Sequence, residues 1–544
     1  MELSRHPLAL PWLLALALIA AFAVQQWHVL PQGAIQHTDE YLTLDRSNSF
    51  VIHDDYLTVY SENRPTFKKP PLQYWATAWL MQHTDDLEFA LRLPSYLCAI
   101  VLLVATGILV GVLSPTTPWA IPAAVALLAG AKTFGDSTQS ALLDMGATLF
   151  VTVAMIACWL ALRQPRWWYL VALVSGVAAL QKAPIPPLVV AAMVGFLYLT
   201  RKRHGIDVGA ALRNRHFVIA ALVTVALVAL WPVLQWALHG TSALEQAYLG
   251  EMVDRFNPAT ESRRPSWDRV LFNGEPWLRL PAILALFALP RVLRRPELAV
   301  FPFLLVGFFL LTNMAGGHVS RRYSIMLLPL LMAAFAVVSV RLIPGRILPV
   351  VVIGAFAMSS GGPFKSARFM GLTAEDGPAV HVPMLQSISR ALGTDETLVM
   401  CQWDRRRTPK LFPAQVSYYA SNGRPFQVIA GPQELSRLEG DRRIAGPYRG
   451  VCNAKQFAEL RPWLADPQVV ESAHGYVHWT SRRTAVGSPS GVVGIAHGEI
   501  GAAVQDVVGP VDRIECQHAP SCGEHAVAER RGLQQALVEA GRER

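Results

Sequence analysis

Charge is what this sequence has least of. Aspartate, glutamate, lysine and arginine together make up 16% of the 544 residues, against 52% hydrophobic residues. A soluble domain rarely sustains that ratio, so the shortage points to a chain that crosses a membrane several times. Basic residues outnumber acidic ones, 48 to 39, but they are scattered among loops and form no single stripe, which argues against a nucleic-acid partner. No glycine-rich nucleotide-binding loop is present and no internal repeat is apparent. The first apolar run is followed by Gln25-Gln26-Trp27-His28 instead of a small-residue cleavage site, so it reads as a retained helix. Cysteine is also sparse, at six residues. Cys98 and Cys158 fall in apolar segments and read as small buried hydrophobes. Cys516 and Cys522 lack the partners a zinc site needs, and Cys401 and Cys452 could pair in an oxidising compartment.

What the sequence does have is long apolar segments. A bilayer core takes about 20 such residues per helix. Candidate spans are 8–30, 90–113, 118–132, 142–162, 167–181, 183–200, 216–238, 277–290, 297–314, 323–343 and 345–360. Orientation follows from short basic loops. Arg163 and Arg166, Arg201-Lys202-Arg203, Arg213 and Arg215, Arg291, Arg294 and Arg295, and Arg341 and Arg346 alternate onto one side, the cytoplasm. The polar loop 31–88 then faces outward, with 133–141, 181–185, 239–276, 313–322 and the C-terminal region. Beyond Ser359-Ser360-Gly361-Gly362-Pro363 the composition changes. Strands are expected at 396–403 and 426–429 and a helix at 455–464. The expected organisation is a helical polytopic membrane domain over 1–360, a small α/β extramembrane domain over 361–483, and a weakly ordered tail over 484–544 with helical pattern only at 524–541.

Ionisable residues gather at the outer ends of the spans: Asp39, Glu40, Lys68, Lys69, Asp136, Asp144, Lys182, Glu251, Asp254, Arg255, His318, Arg321 and Arg322. At that depth such groups usually face a cavity and pair with one another or with a ligand. Four of these groups have two readings. Asp39 is either a base that accepts a proton from an acceptor or a cap on a helix beginning near Tyr41. Lys68 and Lys69 are either phosphate-binding charges or, with Tyr74 and Trp75, a membrane-surface anchor. Asp144 is either a site acid or a helix start. Arg321 and Arg322 either grip a phosphate or snorkel.

The order of these residues is similar to one family. Asp39-Glu40 follows the first span. Then come Phe67-Lys68-Lys69-Pro70-Pro71-Leu72-Gln73-Tyr74-Trp75, Asp144, Gln181-Lys182-Ala183-Pro184, Glu251 with Arg255-Phe256, and Arg322-Tyr323 leading to Pro329. Over roughly residues 8–345 this resembles the integral-membrane glycosyltransferases of the protein O-mannosyltransferase and aminoarabinose-transferase type. The resemblance implies a GT-C-type helical fold of about 11–13 helices, a polyprenyl-phosphate sugar donor, and a glycolipid, protein or polysaccharide acceptor. It assigns Asp39, with Glu40 and Asp144, to catalysis. It assigns Lys68, Lys69, Arg255, Arg321, Arg322 and Tyr323 to the donor phosphate, and Tyr74, Lys182 and Glu251 to substrate binding. It also implies an inner-membrane location with the catalytic face outside.

The sequence departs from that pattern at one pair. The aminoarabinose transferases have Glu where this chain has Lys68 and His where it has Met252, and those two side chains can hold a metal. An ammonium and a thioether cannot replace them as zinc ligands, so no metal or other cofactor is expected. The competing reading is a multi-pass transporter or flippase of lipid-linked sugars. Such a protein places polar groups near the midplane and often carries inverted repeats. Here the charges cluster at one face.

Overall fold

The computed structural model describes residues 9–31, 35, 38–61, 64–84, 86–182, 184–245, 290, 294–314, 325–343, 347–358, 381–402, 413–421, 426–441, 444 and 446–484. The span expected at 277–290 falls almost wholly outside these residues, and the tail with its helical stretch falls outside altogether. Four described helices are long and apolar enough to cross a membrane: α1 (Ala9–Val29), α4 (Leu87–Leu113), α7 (Leu143–Ala161) and α10 (Arg215–His239). Their 19 to 27 residues rise about 29–40 Å at 1.5 Å each. Shorter apolar helices fill between them, including α5 (Ala120–Ala129), α8 (Trp168–Gln181) and α9 (Ile185–Leu199).

Hydrophobicity alone does not drive helices together in lipid, so close packing of small residues must do so. Every residue of the alanine-rich α5 is buried. Gly176 lets α8 approach α10 closely: a Cβ there would stand 2.6 Å from Leu227 Cβ. The inner helix is α7, packed by α4, α8 and α9. Only Ala220 and Gln235 of α10 are buried, as suits a helix facing lipid.

The polar loop is itself folded. It forms α2 (Thr38–His53), a two-stranded ribbon of β1 (Tyr60–Ser61) and β2 (Arg64–Pro65), and α3 (Leu72–Met81). α2 begins at Thr38 rather than near Tyr41, so Asp39 and Glu40 lie in its first turn. Carboxylates there are favoured by the helix dipole by about 0.3–1 kcal/mol.

The C-terminal region forms a five-stranded sheet in the order β4-β3-β5-β8-β7, from β3 (Thr397–Cys401), β4 (Gln427–Ile429), β5 (Tyr448–Asn453), β7 (Gln468–Ala473) and β8 (Tyr476–Ser481). β6 (Leu464–Ala465) pairs with β9 (Arg483–Thr484) alongside it. β3 runs parallel to both β4 and β5, and β8 is antiparallel to β5 and β7. Trp479 on β8 is fully buried and lies over Gly450 on β5, where a Cβ would come within 2.3 Å of its ring. Cys401 and Cys452, at the ends of adjacent strands, form a disulfide. This domain is not a loose appendage. One apolar cluster joins its Leu385, Val416 and Tyr419 to Ile35, Tyr41, Leu44, Leu91 and Ala141 of the membrane domain and its loop.

Candidate active site

The site is assembled where α2 meets the start of α7. The buried Glu40 accepts a hydrogen bond from the Ala141 amide at 3.0 Å and lies 3.7 Å from Arg92 Nε. Thr43, one turn along α2, donates to the Ala141 carbonyl at 2.9 Å and lies equally close to the Asp39 carbonyl. Both polar groups of Ala141 are therefore satisfied by α2. This ties the first turn of α2, which carries the half-buried Asp39, to the segment that leads into α7, whose first turn carries Asp144. Arg92 completes the joint by donating to the Leu30 carbonyl at the end of the first span, at 2.9 Å.

A second polar layer lies beneath. Lys182, at the end of α8, donates to Asp144 in an ion pair whose side chains are 10% and 7% exposed. Gln181 donates to Gln73 at 2.8 Å and to the Leu143 carbonyl at 3.1 Å. Gln73 donates to Ser95 at 3.3 Å, and Ser95 to the Leu142 carbonyl at 3.2 Å. Gly146 makes room for this layer, since a Cβ there would stand 2.5 Å from the Gln181 amide nitrogen. Asp144 and Lys182 thus neutralise each other across two helices, and Lys182 serves Asp144 before any substrate.

The lysines sit at the rim of the same end. Phe67 packs against His239, the last residue of α10, with ring centroids 5.0 Å apart, and His239 bonds Thr58 at 3.0 Å. Lys68 is exposed and Lys69 half-buried. Pro70 restricts Lys69 to extended backbone, and Pro71 precedes the first residue of α3. Tyr74 is fully buried, so it is not part of a lipid-facing belt. Its hydroxyl accepts from Arg46 Nη1 at 2.8 Å, and that guanidinium lies 5.6 Å over its ring.

Arg46, Arg92, Thr43 and Ser95 were not singled out from sequence. Arg46 stands in Leu44-Asp45-Arg46-Ser47-Asn48, which reads as a solvated stretch, yet it is only 7% exposed. The only sequence signal was its spacing, two turns after Asp39 on one helical face. Glu251, Arg255, Arg321, Arg322 and Tyr323 lie outside the described residues, as does Met252. Among the described residues no three His, Cys, Asp or Glu side chains come together as a metal site.

A bundle of apolar helices, a folded acidic and basic loop at one end, and a small sheet domain docked on that loop make up an architecture that is also found in solved membrane proteins. Residues 68–236 match the family described as dolichyl-phosphate-mannose-protein mannosyltransferase. ArnT from Cupriavidus metallidurans, solved bound to undecaprenyl phosphate, is similar at a TM-score of 0.67 and 15% identity, over 87% of this chain and 98% of that one. The apo form of the Archaeoglobus fulgidus oligosaccharyltransferase is similar at 0.51 and 9%, over 88% and 75%. At these identities the likeness describes the fold. No curated protein matches the chain in sequence.

Proposed function

We propose that this protein is an inverting glycosyltransferase that moves a sugar from a polyprenyl-phosphate donor to an acceptor at the outer face of the cytoplasmic membrane. One observation carries the reading. The grip of Glu40 and Thr43 on Ala141 ties the Asp39 turn to the segment leading into Asp144, at the end of the bundle where Lys68 and Lys69 lie. A donor with its phosphate at the membrane surface and its tail in the bilayer would meet acids and cations at that depth. The match to a mannosyltransferase family over the lysine segment, and a similar fold solved with undecaprenyl phosphate, support the same donor class. The disulfide supports an oxidising, external setting for the C-terminal domain.

In this reading Asp39 takes the proton from an acceptor hydroxyl or amine as that atom bonds to the anomeric carbon. The bond from that carbon to the phosphate oxygen breaks, and polyprenyl phosphate leaves with the electron pair. Attack from the face opposite the phosphate inverts the configuration. Charge builds on the leaving phosphate, so cations fixed nearby are the main electrostatic aid. Lys69 and Lys68 supply it from the loop, and Arg255, Arg321, Arg322 and Tyr323 are assigned to the same grip. Glu40 fixes the Asp39 turn, and Lys182 pairs with Asp144. No metal takes part, because Lys68 and Met252 replace the two ligands of the metal-binding subgroup.

The test is mass spectrometry of envelope glycolipids and glycoproteins from cells with and without the chain, read for a one-sugar mass increment. Asp39→Asn is expected to abolish that increment at unchanged expression, and Lys69→Ala to weaken binding of undecaprenyl phosphate. Full transfer by Asp39→Asn removes the base. A chelator should leave transfer intact, and inhibition reversed by added zinc would restore the metal.

A further inference from the structure

The hydroxyl of Tyr419 ties the C-terminal domain to the segment that leads to the proposed base. Tyr419 ends the helix Pro413–Tyr419 and is buried against the loop. Its hydroxyl donates to Glu88 Oε1 in the first turn of α4 at 2.9 Å and accepts from the Ile35 amide at 3.3 Å. Ile35 lies four residues before Asp39 and is fully buried. Its carbonyl accepts from the Tyr41 hydroxyl. Both backbone polar groups of Ile35 are thus held by tyrosines, one from the helix the segment enters and one from a domain 384 residues away. A buried backbone group needs such a partner, so the path of the chain into α2 is written partly by the distant domain. Burial and the Glu88 carboxylate both push the Tyr419 phenol up, which keeps it a proton donor at neutral pH.

We infer that Tyr419 is a positioning residue for sugar transfer: through the Ile35 amide and Glu88 it fixes the first turn of α2, and so the placement of Asp39. The inference rests on Asp39 acting as the base. Holding a general base in reach of its proton is worth large rate factors, and a shift of about 1 Å can cost on the order of a hundredfold. Losing one of the two holds on Ile35 should cost less than that. The ring of Tyr419 stays in the shared apolar cluster when only its oxygen is removed, so the domain remains docked.

The experiment uses the full chain in lipid nanodiscs and in cells, comparing Tyr419→Phe with Tyr418→Phe. Three quantities are read: the rate of the one-sugar increment, affinity for undecaprenyl phosphate, and amide hydrogen exchange across 35–45. For Tyr419→Phe the expected result is transfer about tenfold slower, unchanged undecaprenyl phosphate affinity, and faster exchange at Ile35 and the first turn of α2. Tyr418→Phe should change none of the three. Unchanged exchange at Ile35 overturns the inference, as does an unchanged transfer rate or a parallel loss of lipid-phosphate binding. An equal loss in Tyr418→Phe also overturns it, by assigning the effect to the domain surface at large. Transfer that survives Asp39→Asn refutes the base itself, whereas exchange at Ile35 in Tyr419→Phe reports the positioning contact independently.

Discussion

The ion pair between Lys182 and Asp144 gives the sharpest test of how the site is built. Its members lie 38 residues apart, at the end of α8 and the start of α7, with side chains 10% and 7% exposed. Replacing Lys182 by Met leaves a buried carboxylate without its cation. Breaking one member of such a pair costs about 3–5 kcal/mol, because the remaining charge keeps its desolvation penalty and loses its attraction. Asp144→Leu strands the ammonium at a similar cost. The double variant removes both charges, and apolar replacement of a whole buried pair is often neutral or stabilising by about 1–4 kcal/mol. On these figures a double-mutant cycle should show a coupling energy of at least about 6 kcal/mol. The assay is unfolding of the full chain in detergent micelles, with sugar transfer measured on the same preparations. Single variants within about 1 kcal/mol of the parent, or strictly additive costs, would refute the reasoning. A double variant that is stable but inactive gives Asp144 a chemical task. One that is stable and active confines the pair to the framework.

Gly146→Ala should push the Gln181 amide off Gln73 and Leu143, at about 1–3 kcal/mol for the buried groups left unpaired, read as a lower unfolding midpoint. The disulfide closes a separation of 51 residues, so Cys401→Ser should cost the C-terminal domain about 4 kcal/mol by chain entropy, measured as loss of protease resistance. His381 and His478 are lowered to about 4, His381 by burial and then His474, His478 by burial and then Arg449. The unfolded chain then takes up these protons first, so the domain should lose stability as pH falls from about 6.5 to about 4. The cost is up to about 3 kcal/mol per histidine, checked by unfolding at each pH.

Much of the bundle was legible because a membrane helix announces itself by an unbroken apolar run. The span read at 90–113 is observed over Leu87–Leu113; Asp86, Glu88 and His83 hid its first turn, where Asp86 caps the helix by accepting from the Phe89 amide. The span read at 216–238 is observed over Arg215–His239. In the C-terminal domain the apolar strands β3 and β4 were legible, whereas β5, β7 and β8 were not. β5 carries Arg449 and Gly450, which break the pattern of a buried strand. The structure explains both: Arg449 pairs with Glu396 at 2.7 and 3.0 Å, and Gly450 leaves room for the Trp479 ring. Side-chain partners across hundreds of residues, such as Tyr419 with Glu88, have no local signature at all.

The adjacent acids Asp39 and Glu40 show most clearly what a sequence motif compresses. The family resemblance assigns both to catalysis, and a capping argument also treats them alike. A helix separates consecutive side chains by about 100°, so neighbours on it cannot share a task. Glu40 turns inward, at 3% exposure, and meets Arg92 and the Ala141 amide. Asp39 turns another way and stays half-buried. The inward acid is what brings the outward one to its place, because the bond to Ala141 ties α2 to the strand of chain that leads into Asp144. The same division recurs in the lysine segment. Tyr74 is consumed by Arg46 inside the loop, while Lys68 remains exposed at its rim. Motif residues here therefore fall into those that build the framework and those left at its surface. The position of each on its own helix, rather than its place in the motif, decides which.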